Sequence, residues 1–123
     1  PQNLNKGFYI KPTIFANVTK NMTIAKEEIF GPVLSILGFN TEQEAIEIAN
    51  NTIYGLSGYV SAQNKDKAKE IANKLRTGMV HINYAPVDQN LPFGGYKMSG
   101  NGREWGAFGI EDFLENKAVI DSP

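Results

Sequence analysis

Cysteine is absent from the 123 residues, and that absence excludes more chemistry than any single residue present establishes. Disulfides, thiolate zinc sites and a thiol nucleophile are ruled out together. A chain without disulfides fits a reducing compartment, so a soluble, cytoplasmic protein is expected. There is one histidine, His81, so a metal centre would have to complete its ligand set from carboxylates. A catalytic triad would need a nucleophile and base that the sequence does not supply, and His81 reads as an ordinary strand side chain. No apolar run approaches the roughly 20 residues of a spanning helix, and no charged-then-apolar leader opens the chain, so no membrane partner is expected. Twelve basic residues face 13 acidic ones, for a net charge of −1. That balance leaves no footprint for nucleic acid, and none is expected as a partner. Internal repeats and low-complexity tracts are also missing. The chain begins at Pro1 rather than Met, and removal of an upstream segment is the expectation. Three Asn-x-Thr triplets, at Asn17, Asn21 and Asn50, carry no weight without a secretion signal.

The composition that remains, 41% hydrophobic and 11% aromatic, suffices for one core and one domain. From Phe8 to Val18 the chain is aromatic and β-branched, but Pro12 cannot donate to a ladder, so an edge strand or two short strands are expected. The breaker pair Gly31-Pro32 precedes the apolar run Val33 to Phe39, read as a buried strand. Thr41 and Glu44 form a capping box, and Ala45, Ile48 and Ala49 supply the stripe of a helix over about 42–51. Leu56 to Ala62 reads as a strand. Asn64 then caps a helix whose Ala68, Ile71, Ala72 and Leu75 recur at helical spacing. Gly78 releases the chain into Met79 to Tyr84, where alternation predicts a further strand. Strands alternating with helices through short joints predict an α/β fold, a parallel open sheet with crossover helices. Between Ala85 and Gly109 the composition turns to proline and glycine, giving a shaped loop. A short helix over about 110–115 and a small strand from Ala118 to Asp121, free to pair with another chain or domain, complete the reading.

Several candidate motifs fail on inspection. Gly100-Asn101-Gly102 begins a dinucleotide fingerprint, but the third glycine falls at Gly106 and a loop precedes it, so these glycines read as turn and close-packing positions. The Lys97 region lacks the glycine spacing and adjacent hydroxyl of a phosphate loop. Glu27 and Glu28 could serve as acid and base, yet adjacent side chains point apart, so at most one faces a site and composition alone favours a solvated turn. Trp105, Phe108 and Phe113 read as apolar anchors that pin the loop to the sheet.

Two segments are less generic, namely Ala25-Lys26-Glu27-Glu28-Ile29-Phe30-Gly31-Pro32-Val33 and Pro92-Phe93-Gly94-Gly95-Tyr96-Lys97-Met98-Ser99-Gly100-Asn101-Gly102-Arg103-Glu104. Both resemble the aldehyde dehydrogenase superfamily, and Lys11-Pro12-Thr13-Ile14-Phe15, Ala49-Asn50-Asn51-Thr52, Tyr54-Gly55-Leu56 and Thr77-Gly78 follow in the family's order. The resemblance implies that residues 1–116 are the C-terminal part of a catalytic domain and 117–123 a terminal oligomerisation strand. It also implies a homo-oligomer, an aldehyde as the small-molecule substrate, and NAD or NADP as cofactor.

In the family the second glutamate of the first segment hydrogen-bonds the cofactor ribose and the phenylalanine packs beside the nicotinamide. Those roles fall on Glu28 and Phe30, and they suit a bidentate acceptor and an apolar wall. Phe93 falls on the substrate-tunnel wall, with Val87 to Leu91 as a variable specificity loop. The family's nucleophile is a cysteine, which attacks the aldehyde before hydride passes to the nicotinamide, and an upstream glutamate activates water. Neither that cysteine nor the cofactor domain is present in these 123 residues, so the chain by itself is expected to be inactive. The alternative is a stand-alone, non-catalytic α/β module for binding or oligomerisation.

Overall fold

The structure, a computed structural model, describes residues 6–123. The described residues divide into two compact units, one ending at Thr52 and one beginning at Ile53.

In the first unit, strand β1 (Thr13–Phe15) pairs in parallel with strand β2 (Val33–Ser35), with Thr13 opposite Val33 and Phe15 opposite Ser35. β1 starts immediately after Pro12, the residue with no N–H to give to a ladder. Thr13 N donates to Pro32 O at 2.9 Å, Ile36 N to Phe15 O at 2.8 Å and Val18 N to Ile36 O at 3.0 Å, so the pairing outlasts the regular strands. A 3₁₀ turn, Thr23–Ala25, lies in the connection. Helix α1 (Glu42–Asn50) is capped by Thr41, whose side chain accepts from Glu44 N at 3.1 Å. The Glu44 carboxylate returns one residue further than a standard capping box would have it, to Asn40 N at 2.8 Å. That backbone N–H is the main reason the Glu44 carboxyl sits below the usual glutamate range; burial opposes the shift, and the Asn40 side chain and the Lys20 charge add to it.

Val18 and Ile46 are the buried apolar residues here. The expectation of a buried strand from Val33 to Phe39 needs correction. Regular pairing ends at Ser35, and Leu34, Ile36 and Phe39 are 56%, 47% and 62% exposed. β2 belongs to a two-stranded sheet among the described residues, and while Val33 is half-buried, Leu34 next to it is left exposed.

The second unit contains a βαβ crossover, made of strand β3 (Ser57–Val60), helix α2 (Lys65–Ala72) and strand β4 (Met79–Ile82). β3 and β4 are parallel, with Ser57 opposite Met79 and Val60 opposite Ile82. Asn64 caps α2 by accepting from both Asp66 N and Lys67 N at 3.0 Å. Its apolar face packs on both strands, and Ala68 there has 0% exposure. The periodic stripe predicted Leu75 as helical, but α2 ends at Ala72 because Lys74 N and Leu75 N turn to the carbonyls of Ile71 and Ala72, tightening the last turn to i,i+3 spacing. On the outer face Glu70 accepts from Lys67 at 3.0 Å and Lys74 at 2.7 Å. These two ammonium groups draw its carboxyl down to about 2.

The α/β class and parallel pairing agree with the sequence. A single sheet running from β2 through β4 does not form among the described residues, where the strands make two separate two-stranded sheets. Alternation identifies a strand but does not encode its neighbour. One expected terminal element differs, since the helix over 110–115 is one 3₁₀ turn, Glu111–Phe113; Ala118 to Asp121, expected to pair with another chain or domain, take no partner among the described residues.

Candidate functional site

Glu28 and Phe30 lie in the first unit, between the 3₁₀ turn and β2. Lys26 N and Glu27 N both donate to Thr23 O at 2.9 Å, which closes the turn and releases the chain at Glu28. Gly31 N then reaches back to Ile29 O at 2.9 Å, and Val33 N to Gly31 O at 2.8 Å. These are consecutive three-residue turns, one centred on Phe30 and one on Pro32, whose fixed φ suits the conformation. Phe30 at the tip of its turn is 97% exposed, and Glu28 is exposed as well. An uncovered aromatic ring and a carboxylate two residues apart in sequence are thus both presented to solvent.

Phe93 belongs to the second unit and is held by the glycine-rich loop. It forms an antiparallel bridge with Glu104, each backbone N donating to the other's O at 2.7 Å. Its ring meets Trp105 at 4.8 Å between centroids, tilted by 34°. The loop closes on itself at Gly78 and Gly94. A Cβ on Gly78 would run into the Gly94 carbonyl, and one on Gly94 into the Gly102 carbonyl. Arg103 draws the loop's carbonyls inward, its Nη1 donating to Gly95 O at 2.9 Å, Gly102 O at 2.8 Å and Asn101 O at 3.1 Å. Its backbone N donates to Asp112 at 2.9 Å. Tyr96 lies under both the Arg103 and Arg76 guanidiniums, 5.5 and 5.4 Å from its centroid. Beside Phe93 this loop encloses a cavity of about 340 Å³, with Arg103, Asp112 and Phe113 on its walls. A larger cavity, about 510 Å³, lies in the first unit against α1 and Lys20, away from the residues singled out in the sequence.

The chain leaves β4 through two non-glycine residues in left-handed conformation, Asn83 at φ 50° and Tyr84 at φ 61°. The Asn83 side chain acts as a further strand residue: its Oδ1 accepts from Ala62 N and its Nδ2 donates to Ala62 O, both at 2.9 Å. His81 stacks on Tyr59 across the strand pair at 4.9 Å, and its Nδ1 lies 2.9 Å from Ala85 O, so Nδ1 carries the proton. No group of three or more potential metal ligands occurs among the described residues. Sequence reasoning missed Arg103, Tyr96 and Asn83. The one advance signal was for Asn83, since asparagine tolerates the left-handed region that ends a strand. The expectation that Trp105, Phe108 and Phe113 form a core holds for Trp105, which is half-buried. Phe108 and Phe113 are 55% and 83% exposed, because the segment that carries them lies in turns that place no layer over their rings.

Comparison with known proteins decides the family. The model of the aldehyde dehydrogenase family matches residues 1–119. The chain belongs to that family. A 3-succinoylsemialdehyde-pyridine dehydrogenase of a Pseudomonas species is 58% identical over 120 residues, covering 98% of this chain and 25% of its own length. A putative aldehyde dehydrogenase of Staphylococcus epidermidis is 55% identical, with 97% and 25% covered. Among solved structures, a Mycobacterium tuberculosis aldehyde dehydrogenase complexed with NAD+ superposes with a TM-score of 0.92 at 49% identity, over 99% of this chain and 25% of that one. Aldehyde dehydrogenase C of Pseudomonas syringae, a mutant in complex with NAD+ and octanal, gives 0.92 at 48% identity over 98% and 25%. The chain thus spans about a quarter of the length of the aldehyde dehydrogenases it matches. No helix among the described residues is long and apolar enough to cross a membrane.

Proposed function

We propose that this chain is the C-terminal segment of an enzyme that oxidises an aldehyde to a carboxylic acid with NAD or NADP. The observation that carries the reading is the colinear family match over residues 1–119. The donor set fits the cofactor: an exposed carboxylate at Glu28 for the ribose hydroxyls, and an uncovered ring at Phe30 for the nicotinamide. When bound, the nicotinamide supplies the hydride acceptor. Glu28 binds and orients the ribose, Phe30 limits where the ring can sit, and Phe93 forms an apolar wall for the aldehyde. The segment from Val87 to Leu91 varies that wall, and Asn83 fixes where it begins.

None of the 123 residues is a cysteine, so the nucleophile comes from outside them and the chain in isolation turns over no aldehyde. Residues 117–123 are the strand offered to a neighbouring subunit, which makes the assembly a homo-oligomer, and the compartment is the cytoplasm. Ile120 and Val119, at 91% and 87% exposed, support that reading, because an apolar edge left in water is a site for pairing.

The test is spectrophotometric. The protein that carries this segment in its full reading frame should form NADH or NADPH from an aliphatic or aromatic aldehyde, and the 123-residue chain should form none. Phe93→Ala in the full protein should raise the aldehyde KM more than that of the cofactor. Turnover by the isolated chain, or an aldehyde KM indifferent to Phe93, would refute the assignment. The alternative of a non-catalytic module requires the full reading frame to lack activity while the isolated chain stays folded and monodisperse.

A further inference from the structure

We propose that Asn101-Gly102 is a site of spontaneous covalent modification, at which the asparagine converts through a cyclic imide to aspartate and isoaspartate. It is the one Asn-Gly step in the sequence, and both residues are exposed. Ring closure needs the backbone nitrogen of the following residue to reach the asparagine Cγ. A side chain on that residue obstructs the approach and restricts the rotation, so glycine is the most permissive neighbour. The local backbone does not prevent the motion. Asn101 and Gly102 lie between a 3₁₀ turn, Lys97–Ser99, and the bridge at Glu104, and belong to no helix or strand.

The chemistry requires only water. The Gly102 nitrogen loses its proton and bonds to Asn101 Cγ, the Cγ–Nδ2 bond breaks, and the nitrogen leaves as ammonia. Water then opens the imide. Attack at Cγ gives aspartate, and attack at the former backbone carbonyl of Asn101 gives isoaspartate, in which the main chain runs through Cβ. Either product replaces a neutral amide with a carboxylate, so the net charge falls one unit below its present −1.

The location gives the reaction a structural consequence. The carbonyls of Asn101 and Gly102 are two of the three that Arg103 Nη1 gathers, the third being Gly95 O. Isoaspartate lengthens the main chain by one methylene within that cluster and displaces those acceptors. Arg103 is followed directly by Glu104, whose backbone holds Phe93. The modification therefore loosens the mount of Phe93 without touching its side chain.

The intact protein is incubated in mildly alkaline heavy-oxygen water at physiological temperature and then digested with trypsin. Cleavage after Lys97 and Arg103 releases a peptide in which Asn101 is the sole asparagine. That peptide should gain three mass units an order of magnitude faster than peptides containing Asn73 or Asn116, each of which precedes a lysine. Gly102→Ala and Asn101→Gln should each reduce the gain to background. In wild-type protein, hydrogen-exchange protection at the Phe93 and Glu104 amides should fall as the isoaspartate fraction rises. A rate at Asn101 equal to that at Asn116, a rate unaffected by Gly102→Ala, or a site that reacts an order of magnitude more slowly in the folded protein than in the free peptide would each overturn the proposal. Unchanged protection at Phe93 and Glu104 in fully converted protein would overturn its structural consequence.

Discussion

Replacing Gly55 with alanine should open the second unit around β4 and the glycine-rich loop. A Cβ built there lies 2.6 Å from the Arg76 carbonyl oxygen, and 3.2 Å from Tyr96 Cβ, whereas Cβ atoms essentially never approach within 3.0 Å. The backbone must therefore move by at least about 0.4 Å, the difference between those two distances. Gly55 is a junction: its carbonyl accepts from Gly78 N at 3.0 Å and Tyr96 N at 2.8 Å, and its own N–H donates to Ser99 Oγ at 3.0 Å. Overpacking costs about 1–3 kcal/mol, and each weakened hydrogen bond up to about 1 kcal/mol net. A total of roughly 2–4 kcal/mol follows, discounted for partial relaxation. Hydrogen exchange reads this locally, because the Gly78 and Tyr96 amides report on opening of this unit alone. Their exchange should accelerate roughly 30- to 700-fold at about 1.4 kcal/mol per decade. An acceleration below about threefold would mean that Gly55 is not the junction described.

Asn83→Ala removes two side-chain hydrogen bonds to Ala62 and places a Cβ-only residue at φ 50°. It should cost about 2–3 kcal/mol in local stability; Asn83→Gly, which relieves the backbone but not the lost bonds, should cost less, and equal losses by hydrogen exchange would contradict the left-handed strain. For Glu70 the folded-state pKa, about 2, is below the ordinary 4.5. The stabilisation from its two lysine partners is therefore complete above 4.5 and is lost as pH falls toward 2. Carbon-detected titration should place the Glu70 midpoint at about 2, well below the ordinary 4.5, and Lys74→Met should move it back up.

Local signals were legible in the sequence wherever a few neighbouring residues determine the outcome. Thr41 with Glu44 and Asn64 before Ala68 located both helix starts, because a cap is a bond between residues close in sequence. Pro12 correctly limited β1. Strand partnership was not legible, since Val33 to Phe39 and Leu56 to Ala62 both read as strands but join different sheets. Nor was burial, since Leu34 and Phe39 are apolar and still exposed. An apolar side chain shows which surfaces need cover without saying what provides it. For the site, Phe93 was singled out through the family resemblance alone, and the structure shows it against Trp105 and beside a cavity. Arg103 could not be found this way, because donation to three carbonyls depends on a loop path that glycines permit without specifying.

The most direct test of the account is cofactor affinity in the full-length protein with Glu28→Gln. Glutamine keeps one acceptor oxygen and loses the charge, and a hydrogen bond to a charged group contributes about 1.5–3 kcal/mol. Loss of part of that should weaken NAD(P) binding roughly 5- to 30-fold, with aldehyde affinity little changed. Wild-type affinity in the variant would contradict the claim that this chain completes the cofactor site.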